Sequence, residues 1–362
     1  MCNCHHGDSG QFRTSVLGGI KMLSRERMEK VLEGKQPDYI PIFPKISHAT
    51  CRAVEGMTMR DYMTDPGNMA KAIIAAAEKY QWDAVGITTD IANEGMAIGS
   101  KYIRPEEETS KLTEYYLEEL DEYERVKVTN PWETEPTKTI LRASEIVKKE
   151  IGDRIYVTAW CNAPLNVASQ LIPMEELLVG MLTDPETLHE LLERCLAYTV
   201  NYVKYLAETG VDAISFGHAM ASNTVISAQN YEEFALPYET RLVSAIHDNG
   251  VKAITHICGD IHGIADRIAR NGSDIIDFDH LCDVTELKKQ TGKVLRGNID
   301  PSLLANGTAQ EVYDQTAKVV QEGKKGGNFI LGSGCEVTAT TPPENLKAFV
   351  QAGRDFGNCK GV

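Results

Sequence analysis

The sequence predicts a single α/β catalytic domain with the fold of a (β/α)8 TIM barrel, and three observations lead to that class. The chain has 362 residues, which suits one elaborated barrel because such domains commonly run to about 250 residues and beyond. Short apolar, β-branched runs alternate with longer segments of helical period, as in repeated βα units. The runs number eight, which is the number that closes a barrel.

Each predicted strand is a short run rich in branched apolar residues. In chain order the strands are Pro41–Ile46, Ala84–Thr88, Ile155–Ala159, Ala213–Phe216, Lys252–His256, Ile275–Phe278, Val294–Arg296 and Phe329–Leu331. Start and stop signals locate helices between them. The start signals are Asp65-Pro66, Asp184-Pro185 and Pro342-Pro343, and the stop signals are Gly210, Gly250 and Gly272.

Two segments fall outside the repeated units. Residues 1–21 are expected to form a flexible N-terminal tail, followed by the barrel domain over residues 22–362. The tail contains the ligand-type residues Cys2, Cys4, His5 and His6, but no second ligand cluster accompanies them, so we assign them no function. Between the second and third strands, an acidic insertion from about Arg104 to Thr137 is predicted to be a surface elaboration or a lid.

Composition excludes several classes of protein. The 52 acidic and 37 basic residues give a net charge of −15, which would repel a nucleic-acid backbone. No run approaches the roughly 18 apolar residues of a membrane span, and the first residues lack a signal-peptide core. Nine scattered cysteines do not resemble a disulfide framework. We therefore expect a soluble, cytoplasmic protein with reduced thiols and no nucleic-acid or membrane partner.

Polar and ligand-type residues follow every predicted strand. They are Ser47 and His48, Thr89 and Asp90, Asn162, His218, His256 and Cys258, Asp279 and His280, Asn298 and Asp300, and Ser333 and Cys335. Any one of them is explained by the polarity of ordinary loops. Barrel enzymes, however, place their chemistry on the loops at the carboxyl ends of the strands. The whole set therefore predicts an active site at that end of the barrel.

Three of these residues form a predicted zinc site. His256 and Cys258 are two apart at a strand end, so both side chains leave the same face. Cys335 follows the last strand, directly after Gly332 and Gly334, and these glycines allow the backbone to approach the barrel axis. One imidazole and two thiolates leave the fourth tetrahedral position open, as in catalytic zinc sites. A buried structural histidine and cysteine are the alternative explanation of the His-x-Cys motif.

Six segments carry a resemblance to a known family. They read RERMEKVLEGKQPDYIPIF, GVDAISF, SAQNYEEFALPYETRLV, THICGD, LRGNIDP and GSGCEVTATTPPENLKAF. From about Met22 to Phe356 the chain resembles the uroporphyrinogen decarboxylase superfamily, and the His-x-Cys motif with a distant cysteine resembles its zinc-dependent, corrinoid-linked methyltransferases. The resemblance implies zinc held by His256, Cys258 and Cys335, and methyl exchange with the cobalt of a corrinoid (cobalamin) on a separate partner protein. The chain has no D-x-H-x-x-G segment for binding cobalamin itself.

The resemblance also bears on three weaker candidates for catalytic residues. Asp90 matches the acidic residue of the decarboxylase branch, and we expect it to line the pocket or orient a substrate. His218 stands where relatives often carry Asp. Asp279 is expected to fill the open zinc position, protonate a leaving oxygen or hydrogen-bond His256, unless it is an ordinary strand-end carboxylate. His280, His218 and Cys282 are better explained by packing or pocket lining.

Several functions stay open at this point. The departures around His218 and Glu336 favour an O-demethylase type of methyltransferase that acts on a methoxylated compound. The alternative is a methylcobamide:thiol methyltransferase of the coenzyme M type. A metal-free decarboxylase is a different class, but its arginine-rich porphyrin segment here reads PKISHATCR, with only Arg52 nearby. A binding module stabilised by zinc with four protein ligands is a further possibility.

Overall fold

Seven parallel strands form the central sheet of the protein, whose computed structural model describes residues 22–359. The predicted tail, with Cys2, Cys4, His5 and His6, lies outside these residues. The strands of the described chain are β1 Ala84–Ile87, β2 Lys101–Ile103, β3 Lys111–Glu114, β4 Tyr156–Asn162, β5 Ala213–His218, β6 Lys252–Ile257, β7 Ile275–Phe278, β8 Val294–Ile299 and β9 Phe329–Ser333. The sheet order is β1-β4-β5-β6-β7-β8-β9.

Helices connect the strands and surround the sheet. They are α1 Ser24–Leu32, α2 Met59–Thr64, α3 Pro66–Tyr80, α4 Asn93–Ile98, α5 Thr137–Ile151, α6 Pro164–Leu171, α7 Met174–Thr183, α8 Pro185–Glu208, α9 Ala228–Phe234, α10 Leu236–Asp248, α11 Ala265–Ile268, α12 Val284–Thr291, α13 Pro301–Asn306, α14 Ala309–Gly323 and α15 Pro343–Phe356. In the described part of the chain, none of them combines the length and apolar character of a membrane span.

The capping signals in the sequence act as predicted. The Asp65 carboxylate accepts from the backbone N–H of Asn68 at the start of α3. Asp184 does the same for Thr187 at the start of α8. Because each carboxylate satisfies an otherwise free N–H group, it fixes the residue at which the helix begins.

The segment around Ile42 occupies the eighth position of the barrel without forming a regular strand. Ile42 makes a single parallel bridge to Leu331 of β9, and its carbonyl accepts from Asp83 N, next to β1, at 2.8 Å. The prediction of a strand over Pro41–Ile46 is therefore wrong. Pro41 and Pro44 lack N–H groups and cannot continue a hydrogen-bonded ladder.

The other seven predicted strands are confirmed, and several continue beyond their predicted ends. The strand predicted as Ala213–Phe216 extends to His218, and the one predicted as Val294–Arg296 extends to Ile299. Register places Gly217 beside His256, His256 beside Asp277, and Asp277 beside Arg296. Paired residues of parallel strands project to the same face. Three polar side chains are thus aligned across β6, β7 and β8.

A small antiparallel hairpin spans the start of the acidic insertion. Strands β2 and β3 pair with Ile103 opposite Lys111, and the connecting loop returns over the end of β1. There, the Ser110 N–H donates to the Asp90 carboxylate at 2.9 Å. The insertion therefore forms part of one wall at the carboxyl end of the barrel.

Candidate metal centre

The structure brings the three predicted metal ligands together. The Nε2 atom of His256 lies 3.2 Å from Cys258 Sγ and 3.8 Å from Cys335 Sγ, and the two sulfurs are 3.6 Å apart. All three donor atoms lie within 4.8 Å of one another. They belong to the end of β6 and to the loop that follows β9. This spacing allows one ion to contact all three atoms.

The glycine before Cys335 permits this approach. A Cβ atom on Gly334 would lie 2.4 Å from the backbone nitrogen of His280, a distance that no larger residue tolerates. The Gly334 N–H also donates to the Ile299 carbonyl at 2.8 Å. The loop is thereby pressed against the ends of β7 and β8, and Cys335 is directed to the histidine and cysteine of β6.

A buried carboxylate and a buried arginine stand behind His256. The ring Nδ1 of His256 is 3.0 Å from Asp277 Oδ2, and the same carboxylate contacts the Arg296 guanidinium. An Nδ1–H directed at a carboxylate leaves Nε2 free as a ligand atom. Asp279 was one predicted hydrogen-bond partner of His256. The structure corrects that assignment, because Asp277 makes the contact.

The charges of this group follow from its contacts. Burial acts to raise the pKa of Asp277, but Arg296 and His256 outweigh it and lower that pKa to about 2. Burial acts to lower the pKa of His256, yet the neighbouring Asp277 carboxylate holds it above its usual value. Asp277 is therefore ionised at neutral pH, and a full negative charge lies 3.0 Å from the imidazole Nδ1.

The two thiols share one proton. A hydrogen bond with Cys258, aided by His256, lowers the pKa of Cys335, whereas the same hydrogen bond and burial raise the pKa of Cys258. Two sulfurs at this distance cannot both become thiolates without a cation to compensate them. The pair is thus suited to a divalent metal ion that displaces the remaining proton.

A cavity of about 340 Å³ opens onto the two cysteines. Its lining is largely apolar, with contributions from Phe43, Ile46 and Trp160. Asp90 lines it as predicted, and its two oxygens accept from the N–H groups of Ala92 and Ser110, both at 2.9 Å. The Asp90 carboxylate therefore holds the β1 loop and the insertion loop together beside the cavity.

Asp279 lies next to the metal candidates without joining them. One of its oxygens accepts from Gly259 N at 2.9 Å, and the other lies 2.5 Å from His280 Nδ1. Asp279 is not among the three residues whose donor atoms cluster. Gly259 is the residue after Cys258, so this contact holds the backbone of the loop that carries Cys258. The predicted roles of Asp279 as a ligand or an acid remain predictions.

His218 belongs to a separate buried network. Its Nε2 lies 3.1 Å from Glu239 Oε1, and it is not among the residues that line the cavity. Burial lowers the pKa of His218 to about 3 and raises the pKa of Glu239 to about 7. The structure therefore corrects the prediction of a catalytic or pocket-lining role for His218 and agrees with the packing alternative. The reason is that β5 continues to this residue and carries its side chain into the interior.

A second cluster, Asp260, His262 and Cys282, also has donor atoms within 4.8 Å. Both ring nitrogens of His262 are already engaged. Nδ1 lies 2.7 Å from Asp260 Oδ1, and Nε2 accepts from the Asp283 N–H at 3.2 Å. The Cys282 thiol donates to the Gly259 carbonyl. These contacts agree with the expectation that Cys282 packs rather than reacts.

Sequence reasoning missed Asp277, Arg296 and Lys45. The first two are charged residues within apolar strands, IIDF and VLRGNI, and charged side chains are rarely buried unless they are paired. A charged residue within an apolar strand was therefore the signal in the sequence that could have identified Asp277 and Arg296. Lys45 lies in PKISHATCR and lines the cavity. Arg52, the arginine singled out in that stretch, instead pairs at the surface with Glu107.

The chain is similar to several known proteins. Residues 23–356 match the family model described as Uroporphyrinogen decarboxylase (URO-D). Methylcobamide:CoM methyltransferase MtbA of Methanosarcina mazei is 27% identical over 343 residues, which cover 92% of this chain and 98% of that protein. Methylated-thiol--coenzyme M methyltransferase of the same organism is 27% identical, with 91% and 88% covered. A solved methyltransferase structure from Methanosarcina mazei superimposes with a TM-score of 0.84 at 21% identity, covering 92% of this chain and 99% of that one.

Proposed function

The chain belongs to the uroporphyrinogen decarboxylase family, and we propose that it is a zinc-dependent methyltransferase. In this proposal it transfers a methyl group from the cobalt of a corrinoid, carried by a partner protein, to a small thiol. One observation carries the proposal: His256 Nε2 and the sulfurs of Cys258 and Cys335 lie within 4.8 Å of one another at a cavity wall. Such a donor set suits chemistry at an open metal position.

The residues present fit zinc. Two thiolates and one imidazole are ligands that zinc prefers, and three protein ligands leave one position for a substrate. The Asp277 carboxylate orients His256 through Nδ1, as carboxylates do behind many zinc-bound histidines. When bound, zinc would supply Lewis acidity, which favours the thiolate form of a thiol at its open position. The nucleophile would thus be available at neutral pH.

The protein's own residues would prepare the reaction in two ways. The ionised Asp277, compensated by Arg296, would keep His256 in the tautomer that leaves Nε2 free. The apolar side chains of Phe43, Ile46 and Trp160 would exclude water from the reacting sulfur, which strengthens its nucleophilic character. Asp90 would keep the two loops at the cavity in place.

Thiol methylation now has better support than O-demethylation. The departures at His218 and Glu336 were the features of the sequence that favoured a methoxylated substrate. His218 lies outside the cavity lining, so its departure no longer supports that substrate, whereas Glu336 does line the cavity. Relatives that align over nine-tenths of this chain are named for methylcobamide, coenzyme M and methylated thiols. We therefore propose a thiol as the acceptor and a corrinoid protein as the methyl-carrying partner.

The test combines metal analysis with single turnover. We expect about one zinc per chain in the purified protein. With methylcobalamin and a thiol, the cobalt spectrum should change from the methylated form to Co(I), and the thioether should appear in equal amount. Cys335→Ser should lose both zinc and transfer. Cys359→Ser is the matched control, since Cys359 lies outside the cavity lining, and it should retain both.

Three results would contradict the proposal. Full transfer by metal-free protein would exclude a role for zinc. Decarboxylation of a porphyrin substrate without metal would support the decarboxylase alternative with Asp90 as its acid. X-ray absorption that shows four protein ligands and no exchangeable position would support a structural zinc module instead.

A further inference from the structure

The sulfurs of Cys258 and Cys335 are in contact with each other. They lie 3.6 Å apart, whereas the two sulfurs of a disulfide are about 2.05 Å apart. The two cysteines are 77 residues apart in the chain and belong to different elements, the end of β6 and the loop after β9. The fold has therefore brought two distant thiols to within a short movement of a covalent bond.

The loop that carries Cys335 is held by hydrogen bonds in which no metal ligand takes part. The Lys45 N–H donates to Ser333 Oγ at 3.0 Å, and the Lys45 carbonyl accepts from Val337 N at 2.9 Å. Ser333 and Val337 lie two residues before and two residues after Cys335. The backbone on both sides of this cysteine is thus fixed by Lys45, with or without a metal ion.

The backbone around Cys258 is held in the same way. Ile257, which precedes it, is paired in β6 with His218 of β5 and with Phe278 of β7. Gly259, which follows it, donates its N–H to Asp279 at 2.9 Å. We therefore expect the two sulfurs to remain in contact when a metal ion leaves the site.

These two cysteines are also the ones that a small solute can reach. Both are partly exposed and line the cavity. The remaining cysteines of residues 22–359 are buried, namely Cys51, Cys161, Cys195, Cys282 and Cys359. Burial raises the pKa of Cys282, for example, to about 12, so its reactive thiolate form is scarce at neutral pH. An oxidant that enters the cavity thus meets Cys258 and Cys335.

The surroundings of the pair favour one reactive thiolate. Hydrogen bonds from Cys258 and His256 lower the pKa of Cys335, and the positive charge of Lys45 acts in the same direction. Cys258 keeps the proton that the two sulfurs share. An accessible thiolate with a second thiol beside it is the arrangement that redox-sensitive cysteine pairs use.

We propose that Cys258 and Cys335 form a reversible disulfide when the site holds no metal ion and a peroxide enters the cavity. The pair is then a site of oxidative modification as well as a set of metal ligands. The inference rests on the contact between the two sulfurs and on their accessibility, and it does not depend on which compound accepts a methyl group.

The reaction consumes one peroxide for each disulfide. The Cys335 thiolate attacks one oxygen of hydrogen peroxide, the O–O bond breaks, and hydroxide leaves as the sulfenic acid forms. The Cys258 sulfur then attacks the sulfenic sulfur, the S–O bond breaks, and the departing oxygen leaves as water with the thiol proton. Two electrons pass from the sulfurs to the peroxide, which is reduced to hydroxide and water.

The disulfide and a metal ion exclude each other at this site. A disulfide removes two of the three clustered donor atoms and leaves His256 alone, whereas a bound metal ion requires both sulfurs as thiolates. A dithiol that attacks the disulfide restores both thiols and, with them, the metal site. Oxidation would therefore switch off the metal-dependent chemistry reversibly.

The test compares zinc-loaded protein with protein that a chelator has stripped of metal. After treatment of the stripped protein with hydrogen peroxide, we expect peptide mass spectrometry to show one disulfide that joins Cys258 to Cys335. The oxidised protein should take up no zinc until a dithiol is added. Zinc at about a hundred times its dissociation constant should slow disulfide formation by about a hundredfold, because the metal-free chain is the reacting form.

Cys282→Ser is the matched control. The Cys282 sulfur lies 3.7 Å from the Gly259 carbonyl, so it is close to Cys258 and could compete as its partner. This variant should form the Cys258–Cys335 disulfide as fast as the wild type does, and Cys335→Ser should form none. A disulfide between Cys258 and Cys282, or sulfinic acid on the stripped protein without any disulfide, would overturn the proposal. Mapping in the wild type decides this without any variant.

Turnover by the reduced protein separates this inference from the proposed function. If the disulfide forms as mapped but the reduced, zinc-loaded protein transfers no methyl group to any thiol, the proposed function is refuted and the redox pair stands. If the reduced protein transfers methyl groups but its stripped form gives no disulfide with peroxide, the redox pair is refuted and the proposed function stands.

Discussion

Two buried histidines on neighbouring strands have opposite protonation behaviour. His256 of β6 and His218 of β5 each lie about 3 Å from a carboxylate, at 3.0 Å from Asp277 and 3.1 Å from Glu239. The pKa of His256 is nevertheless held above its usual value, while burial lowers the pKa of His218 to about 3. A histidine–carboxylate contact therefore does not by itself define the charge of either partner.

The difference arises from the third residue of each group. Arg296 compensates Asp277, whose pKa falls to about 2, so that carboxylate is ionised. Glu239 is contacted instead by the neutral groups of Tyr231 and Asn271, at 2.8 and 2.9 Å. Burial then raises its pKa to about 7. The site at His256 is charged and suited to a metal, whereas the site at His218 is a neutral part of the core.

Among substitutions in these two groups, removal of Arg296 should change the free energy of unfolding the most. Arg296→Met leaves Asp277 as a buried carboxylate with only His256 beside it. We expect the free energy of unfolding to fall by about 3 to 5 kcal/mol, as for other buried ion pairs that lose one partner, measured by urea denaturation. Arg296→Met combined with Asp277→Asn removes both charges and should recover part of the loss. A loss below about 1 kcal/mol would show that Arg296 does not compensate Asp277.

The free energy of unfolding should depend on pH differently in the wild type and in Glu239→Gln, because that substitution leaves His218 without its titrating partner. Between about pH 4.5 and 6.5 the folded pair holds a proton on Glu239, and the unfolded chain holds one on His218 instead. The folded and unfolded states therefore bind the same number of protons, so these two residues do not make the free energy of unfolding depend on pH in this range. In Glu239→Gln, the unfolded chain still gains a proton at His218 as the pH falls below 6.5, but the folded protein does not gain it until about pH 3.

We therefore expect Glu239→Gln to lose about 2 to 3 kcal/mol of unfolding free energy, relative to wild type, as the pH falls from 6.5 to 4.5. Denaturation at a series of pH values measures this difference. The double variant with His218→Gln lacks the titrating histidine and should not show the extra loss. A pH-independent difference between Glu239→Gln and wild type would mean that His218 is protonated in the folded state.

The third prediction compares two neighbouring carboxylates and has the smallest free-energy effect. Asp277→Asn keeps an acceptor for His256 but removes the negative charge, so zinc affinity should fall about tenfold to a hundredfold. Asp279→Asn is the matched control, because Asp279 contacts Gly259 and His280 instead. Competition with a chelating dye measures both affinities. A larger loss for Asp279→Asn would identify Asp279 as the residue closer to the metal.

The sequence predicted the parts of the fold that local pattern determines. Seven strands were located because their apolar runs are bounded by capping residues and glycines. Pro41–Ile46 looked like an eighth because its apolar residues resemble a strand, but its prolines remove two donors. His256 and Cys258 were identified because residues two apart at the end of a strand project to the same face. Cys335 was identified because the glycines before it allow its loop to approach that face.

Features that depend on register could not be predicted in the same way. Whether Asp277 or Asp279 meets His256 depends on the alignment of β6 with β7, and periodicity does not define that alignment. The position of His218 depended on two further residues of strand beyond Phe216. Lys45 gave no signal because it fell within the predicted strand Pro41–Ile46, and only the fold places its side chain at the cavity.

The two hydrogen bonds that fix the Lys45 backbone have a consequence for the assembly of the metal site. They join Lys45 to Ser333 and Val337, on either side of Cys335, although nearly 300 residues of chain separate the two segments. The loop that carries this cysteine is therefore held by a segment from the other end of the sequence. The third ligand should reach its place only when the first and last parts of the barrel have met, so zinc should report on closure of the barrel as well as on folding of β6.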